Sequence, residues 1–214
     1  MAAYSIRFVP VFTVAALVLA CAGSDGTSPE PAPATEPAPS AAADPADDAE
    51  SPERAFWSRI AELCGAAFEG ELVEGTEPGD QELGGERLIM DAHTCEDDEI
   101  RIGFYAGDDR SRTWVLREHD DGLALSHDHR EPDGTPEEIT GYGGVTADEG
   151  SPGEQAFHAD AHTAELVPEA ATNVWTMEIE PGERFVYRLH REEGERRFRV
   201  DFDLTNPTGD PDAH

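Results

Sequence analysis

Between Arg197 and Leu204 the chain reads RFRVDFDL, with Phe198, Val200, Phe202 and Leu204 alternating with Arg197, Arg199, Asp201 and Asp203. Side chains point to opposite faces along a strand, so this stretch predicts one dry face and one charged face. A helix would scatter the same residues around its axis. Weaker alternation recurs in RLIMDAH, IRIGFYA, TWVLREH, LALSHDH, VWTMEIE and RFVYRLH, separated by the turn signals GDD, DDG, PDG, EPG and EEG. With further strands expected near residues 67–75, 138–147 and 154–160, the pattern predicts an all-β, antiparallel meander of about ten strands. That many half-dry strands on short links favour a closed barrel, which leaves no edge, and a β-sandwich is the alternative. HTAELVPEAATN, residues 162–173, reads as a loop or short helix between strands.

One helix precedes the strands. In SPERAFWSRIAELCGAAF, Ser51 is placed as N-cap, Pro52 at the first helical position and Glu53 in the first turn. Phe56, Ile60, Leu63 and Cys64 share a face that is read as core, with Trp57 beside it, and Gly65 is the expected stop.

Upstream, Arg7 is followed by the apolar run FVPVFTVAALVLA, the order of charge, apolar stretch and small residues found in an export signal. The run is too short for a comfortable membrane span. VLAC, Val18 to Cys21, resembles the lipobox of bacterial lipoproteins. That resemblance implies residues 1–20 as a signal peptide, lipidation of Cys21, and anchoring by more than one acyl chain, which is stable where one chain is marginal. An ordinary cleaved signal is the alternative. Ala22 is not an acidic retention residue, which points to the outer membrane or outer cell surface. Residues 21–50 (Cys21 and PEPAPATEPAPSAAADPADDAE within the stretch) then form a Pro/Ala/acidic tether, 51–206 the folded domain and 207–214 a flexible tail.

Export sets an oxidising compartment, so Cys64 and Cys95 are expected to form a disulfide. Its closed loop is worth roughly 3 kcal/mol. A Cys/His metal site would lack any CxxC spacing, and a free thiol is the remaining alternative.

Formal net charge is −32, and all 15 basic residues are Arg. Such a field repels nucleic acid and anionic lipid headgroups, which excludes nucleic acid as a partner of the domain. EDDE, GDDR and EHDDG match no EF-hand spacing and read as solvated surface.

GLALSHDHREPDG carries the chemistry worth following. If Asp121 and Gly122 form the turn, Leu116 pairs with His127 and Trp114 with His129. Both imidazoles then join Trp114, Leu116, Leu123 and Leu125 on the apolar face, near the end of a strand. Three uses are open. The histidines are structural groups at a barrel mouth, ligands of a divalent metal or haem with His158 and His162 (and Asp160 or His93 as further donors), or a general acid/base. Asp128 falls on the opposite face and Asp133 lies beyond the strand. In DRSRTW, Arg110 and Arg112 can fork to an anionic ligand or satisfy Asp108 and Asp109. TGYGGVT lacks both P-loop and dinucleotide fingerprints and reads as a strand with a bulge or tight turn. GxSxG, SxxK and HExxH are absent from the sequence.

LCGAAFEGEL, DRSRTWVL, HDHREPDG, NVWTMEIEPGERFVYRL and RRFRVDFDL resemble a family of uncharacterised exported bacterial proteins, over most of residues 56–206. The resemblance implies one domain containing the histidines and carries no activity. The barrel itself is similar to the lipocalin and nitrobindin type, at the level of fold alone. The expected function is a small-ligand or metal-binding barrel whose mouth is lined by Trp114, His127 and His129, with Arg112 and Arg110 nearby. An enzyme using a mouth histidine is one alternative. The other is an envelope protein that binds a partner through the strand face carrying Arg197 and Arg199.

Overall fold

The computed structural model describes residues 50–120 and 122–209. The expected signal peptide, Cys21, the tether as far as residue 49 and the last five residues of the tail lie outside the described residues.

Ten strands form one closed antiparallel barrel, which excludes the sandwich. In chain order they are β1 (Ala67–Gly75), β2 (Leu88–Cys95), β3 (Glu99–Ala106), β4 (Asp109–His119), β5 (Gly122–His129), β6 (Tyr142–Thr146), β7 (Glu154–Ala159), β8 (Asn173–Glu180), β9 (Arg184–Arg191) and β10 (Arg197–Thr208). Each pairs with its successor, and β10 returns to β1, with Gly70 opposite Phe202 and Leu72 opposite Val200. β10 therefore runs two residues past the expected end of the domain at 206.

Alternation decides inside from outside. Phe198, Val200, Phe202 and Leu204 are all buried, in one core with Leu88, Met90, Ile100, Ile102, Trp175 and Phe185. The outward positions carry ion pairs, such as Arg101 with Glu99 and Asp128, Arg117 with Glu99, Arg188 with Glu154 and Glu178, and Arg199 with Asp201. Apolar inside and charged outside is the inverse of a barrel facing lipid.

The barrel has two different ends. The first helix, α1 (Pro52–Ala61), starts where expected, the Ser51 hydroxyl accepting the Arg54 N–H at 3.2 Å. Phe56, Trp57, Ile60 and Leu63 enter the core, and Arg54 pairs with Glu118 near the β4–β5 turn, so α1 closes that end. The chain then turns at Gly65 (φ +79°), whose N–H donates to the Ala92 carbonyl at 2.8 Å. A Cys64–Cys95 disulfide, with Cα atoms 6.2 Å apart, fastens this exit to the end of β2.

The other end is framed by the β5–β6 connection and three short elements. These are α2 (Pro78–Leu83), α3 (Ala161–Leu166) and a 3-10 turn (Pro168–Ala170). The last two form the crossing expected over 162–173. α2 has no counterpart in the sequence reading, since six residues are too few for a periodic signal. α3 is strapped to β6 through buried Thr163, whose hydroxyl accepts the Gly143 N–H at 2.6 Å and donates to the Gly143 carbonyl at 2.7 Å.

Replacing both Cys64 and Cys95 by Ser is expected to lower the unfolding free energy by roughly 3 kcal/mol. Urea unfolding of the oxidised wild type against the double variant measures it. Equal midpoints would mean that the disulfide adds nothing to the apolar burial and the Arg54–Glu118 pair that hold α1 on the barrel.

Candidate functional site

The β4–β5 ladder closes at His119–Gly122, one position earlier than the Asp-Gly turn implied, so Trp114 pairs with His127 and Arg112 with His129. The shift moves every partner by two residues and leaves every face unchanged. Trp114, His127, His129 and Arg112 do project inward, where they line a cavity of about 470 Å³ at the end opposite α1. Its walls add Phe104, Tyr142, Trp175, Tyr187, Leu189 and Phe198, and its rim Glu77, Asp80, Ile139, Glu169, Asn173, Arg191 and Arg196. The volume and the mix of aromatic wall with a few polar groups are those of a small-molecule site.

His127 sits at the floor, 5% exposed. Its Nδ1 lies 3.1 Å from the Tyr142 carbonyl and its Nε2 2.6 Å from the Tyr187 hydroxyl. A carbonyl only accepts, so Nδ1 carries the proton and Nε2 accepts the Tyr187 O–H. The imidazole stacks on Tyr142 (centroids 4.8 Å apart, 9° between planes) and leans on Trp175 at 5.1 Å. Tyr187 stacks in turn on Trp114 at 4.3 Å, and Trp114 on Phe104 at 5.0 Å. Burial pushes the His127 pKa down to about 3; the Tyr142 carbonyl opposes the shift and neighbouring His129 adds to it. Burial likewise raises both phenols, Tyr187 well above the usual range, so both keep their protons.

Close approach of β6 makes this possible. A Cβ at Gly143 would strike the backbone of Leu125 and Ser126, and only glycine lets β6 bring the Tyr142 carbonyl to His127. The glycine-rich stretch is thus a close-contact strand, with no phosphate-binding geometry.

His129 is nearer the opening, its Nε2 3.2 Å from the Tyr142 hydroxyl and its Nδ1 3.8 Å from Glu137. Burial and the Arg112 guanidinium lower its pKa, against Glu137, Asp109 and Asp128. Arg112 is paired with Asp109. Arg196 holds Asp80 of α2 through both carboxylate oxygens and approaches Glu77 at 3.3 Å.

Several expected ligands lie elsewhere. The β3–β4 register shifts between Phe104–Arg112 and Ala106–Asp109, setting Arg110 and Ser111 against Tyr105 alone. This bulge turns Arg110 away from Arg112 and onto the Tyr105 ring, 4.5 Å from its centroid, so Arg110 does not line the cavity. His158 alternates with buried Gln155 and Phe157 and lies on the outer face, 3.9 Å from Glu192. His162 is exposed on α3, and Asp160 is that helix's N-cap, accepting the Thr163 N–H at 2.7 Å. His93 is exposed beside Thr94. The expected metal set of His127, His129, His158 and His162 is therefore not assembled. Among the described residues no three His, Cys, Asp or Glu side chains are grouped to hold a metal. His127 also has no free nitrogen for a metal or a haem iron, one being protonated and the other occupied by Tyr187.

Sequence reading missed Tyr142, Trp175, Tyr187, Asn173 and Arg191. The signal for the last two was present. Phe185, Tyr187 and Leu189 alternate inward, and one more step reaches Arg191, just past the strand recognised as RFVYRLH. Asn173 likewise precedes VWTMEIE by one residue, and the two pair directly.

No family model, curated protein or solved structure matches this chain.

His127 gives the fold a pH signature. Unfolded, it takes up a proton near 6.5; folded, only near 3. The unfolded state thus binds more protons between those values, and stability is lost as pH falls below 6.5. The slope from this group approaches about 1.4 kcal/mol per pH unit. Urea unfolding between about pH 7 and 5.5, above the ordinary carboxylate range, is expected to show it, together with a loss of the same sign from His129 and His190, whose pKa values are also lowered from 6.5. His127→Gln should reduce the slope without abolishing it, and an unchanged slope in that variant would show that His127 is not held neutral.

Proposed function

We propose that the chain is an extracytoplasmic lipoprotein whose barrel takes up a small organic molecule in the cavity over His127. The observation that supports this most directly is a buried polar cluster, His127, Tyr142 and Tyr187, already internally satisfied at the floor of an aromatic cup that opens through a charged rim. A barrel that only needed a core would fill that space with apolar side chains, as this one does at the α1 end. An aromatic wall with polar groups at its floor and rim suits a ligand that is apolar over most of its surface. For His127 the acid/base alternative has less support, because a histidine that protonates only near pH 3 and has both nitrogens engaged is a poor proton carrier at neutral pH.

Native mass spectrometry of the exported full chain, purified without chelator and compared with its denatured mass, tests the reading. The expected result is an added mass in the wild type that disappears in Leu189→Trp, a substitution that fills the cavity from a half-buried wall position. Cooperative melting of the variant would exclude unfolding as the cause. A wild type that carries no added mass, and that no aromatic small molecule protects from thermal unfolding, would overturn the assignment.

The lipobox resemblance at Val18–Cys21 supports anchoring at the outer membrane or outer cell surface, with the Pro/Ala/acidic stretch as tether. Cys21→Ser is expected to move the exported protein from the membrane fraction to the soluble one. Retention in the membrane fraction would remove the lipid anchor from the proposal.

A further inference from the structure

The chain has 47 acidic residues against 15 arginines, so a guanidinium that lines a cavity is expected to find a carboxylate partner. Three guanidiniums reach the cavity. Arg112 is neutralised by Asp109, and Arg196 by Asp80 and Glu77. Arg191 is different. At the inward-facing end of β9 it meets Asn173 of β8, and its Nε donates to the Asn173 Oδ1 at 3.1 Å. Among the described residues it makes no ion pair, and its four Nη protons find no acceptor. Asn173, 6% exposed, has turned its only side-chain acceptor to Arg191, which leaves its amide N–H group as a further donor at the cavity rim.

A neutral amide orients the guanidinium without discharging it. Arg191 lines the cavity beside the aromatic wall, and its fork of Nη donors, the geometry that matches a carboxylate, is left without an acceptor among the described residues. Trp175, one step inward from Asn173, and Leu189, one step inward from Arg191, pair across the same two strands and supply an apolar surface next to the charge. Exposed Glu169 on the rim disfavours a second negative charge on whatever enters.

We infer that the cavity selects an amphipathic monocarboxylate, its carboxylate held by Arg191 and Asn173 and its apolar, π-rich body lying against Trp175, Leu189 and Tyr187. This rests on the cavity being a ligand site, as proposed above, and adds the class of ligand.

Two probes of nearly equal shape separate the claims: 2-naphthoate, and its neutral counterpart 2-naphthamide. Calorimetric titration of the exported full chain is expected to show naphthoate binding about tenfold or more tightly than naphthamide, the range for hydrogen bonds to a charged group. In Arg191→Gln the two probes should bind alike, at the affinity of naphthamide for the wild type. Arg191→Lys, which keeps the charge and loses the fork, should fall between. Equal binding of both probes by the wild type would overturn the carboxylate inference and leave the cavity reading standing. A preference for naphthoate that survives in Arg191→Gln would overturn the assignment to Arg191. Failure of the wild type to bind either probe would overturn both. Should Arg191→Gln not fold, the wild-type ratio and the Lys variant still decide the matter.

Discussion

Pairing of the first strand with the last is the constraint on which the rest of this structure depends. Once β10 lies against β1, no strand edge remains, and residues on the ten strands are assigned to the inside or the outside by parity, except where a register shift intervenes. The inner face must then be filled, and the chain fills it unequally. α1 inserts Phe56, Trp57, Ile60 and Leu63 at one end, whereas the short elements at the other only frame an opening. The cavity is what closure leaves when one end receives a helix and the other does not.

Polar residues inside such a barrel must be satisfied or they destabilise it, each unpaired buried group costing about 1–3 kcal/mol. His127 meets that demand with two partners from two other strands, Tyr142 on β6 and Tyr187 on β9. Burial holds it neutral and the two contacts fix its tautomer, so a residue type usually associated with proton transfer here behaves as an aromatic hydrogen-bonding bracket. By tying β5 to β6 and to β9 across the interior, it also sets the shape of the cavity floor. Arg191 differs because its one side-chain partner among the described residues, Asn173, leaves most of its donors unused.

What the sequence made legible follows from how local each signal is. Alternation in RFRVDFDL needs no neighbour to be read, and all four of its apolar residues are buried. The faces of Trp114, His127 and His129 were equally readable, because a turn shifted by one position displaces partners in steps of two and preserves parity. Arg110 was not readable in this way. One extra residue in β4 inverts its face, and nothing in DRSRTW announces the bulge. His158 reads as a companion of the histidine pair only if faces on separate strands are assumed to converge, and the barrel places it outside. Asn173 and Arg191 were lost at strand ends, where charge and amide groups break the apolar pattern that defines the strand.

The opening is held by charge more than by apolar contact. Arg196, in the link between β9 and β10, clasps Asp80 on α2 with two parallel hydrogen bonds, and both side chains are largely withdrawn from water. A pair of this kind contributes little net stability over an apolar substitute, yet losing one member costs about 3–5 kcal/mol, because the other is left buried and unpaired. Its value lies in geometry, since a bidentate clasp tolerates far less sliding than two apolar surfaces do. α2 and its N-cap place Asp80, Leu83 and Glu77 on the rim, and as a single short helix between β1 and β2 it has little core contact of its own. Arg196 therefore does for the opening what His127 does for the floor. A directional polar contact fixes an element that packing alone would leave loose, and the cavity keeps a defined shape at both depths.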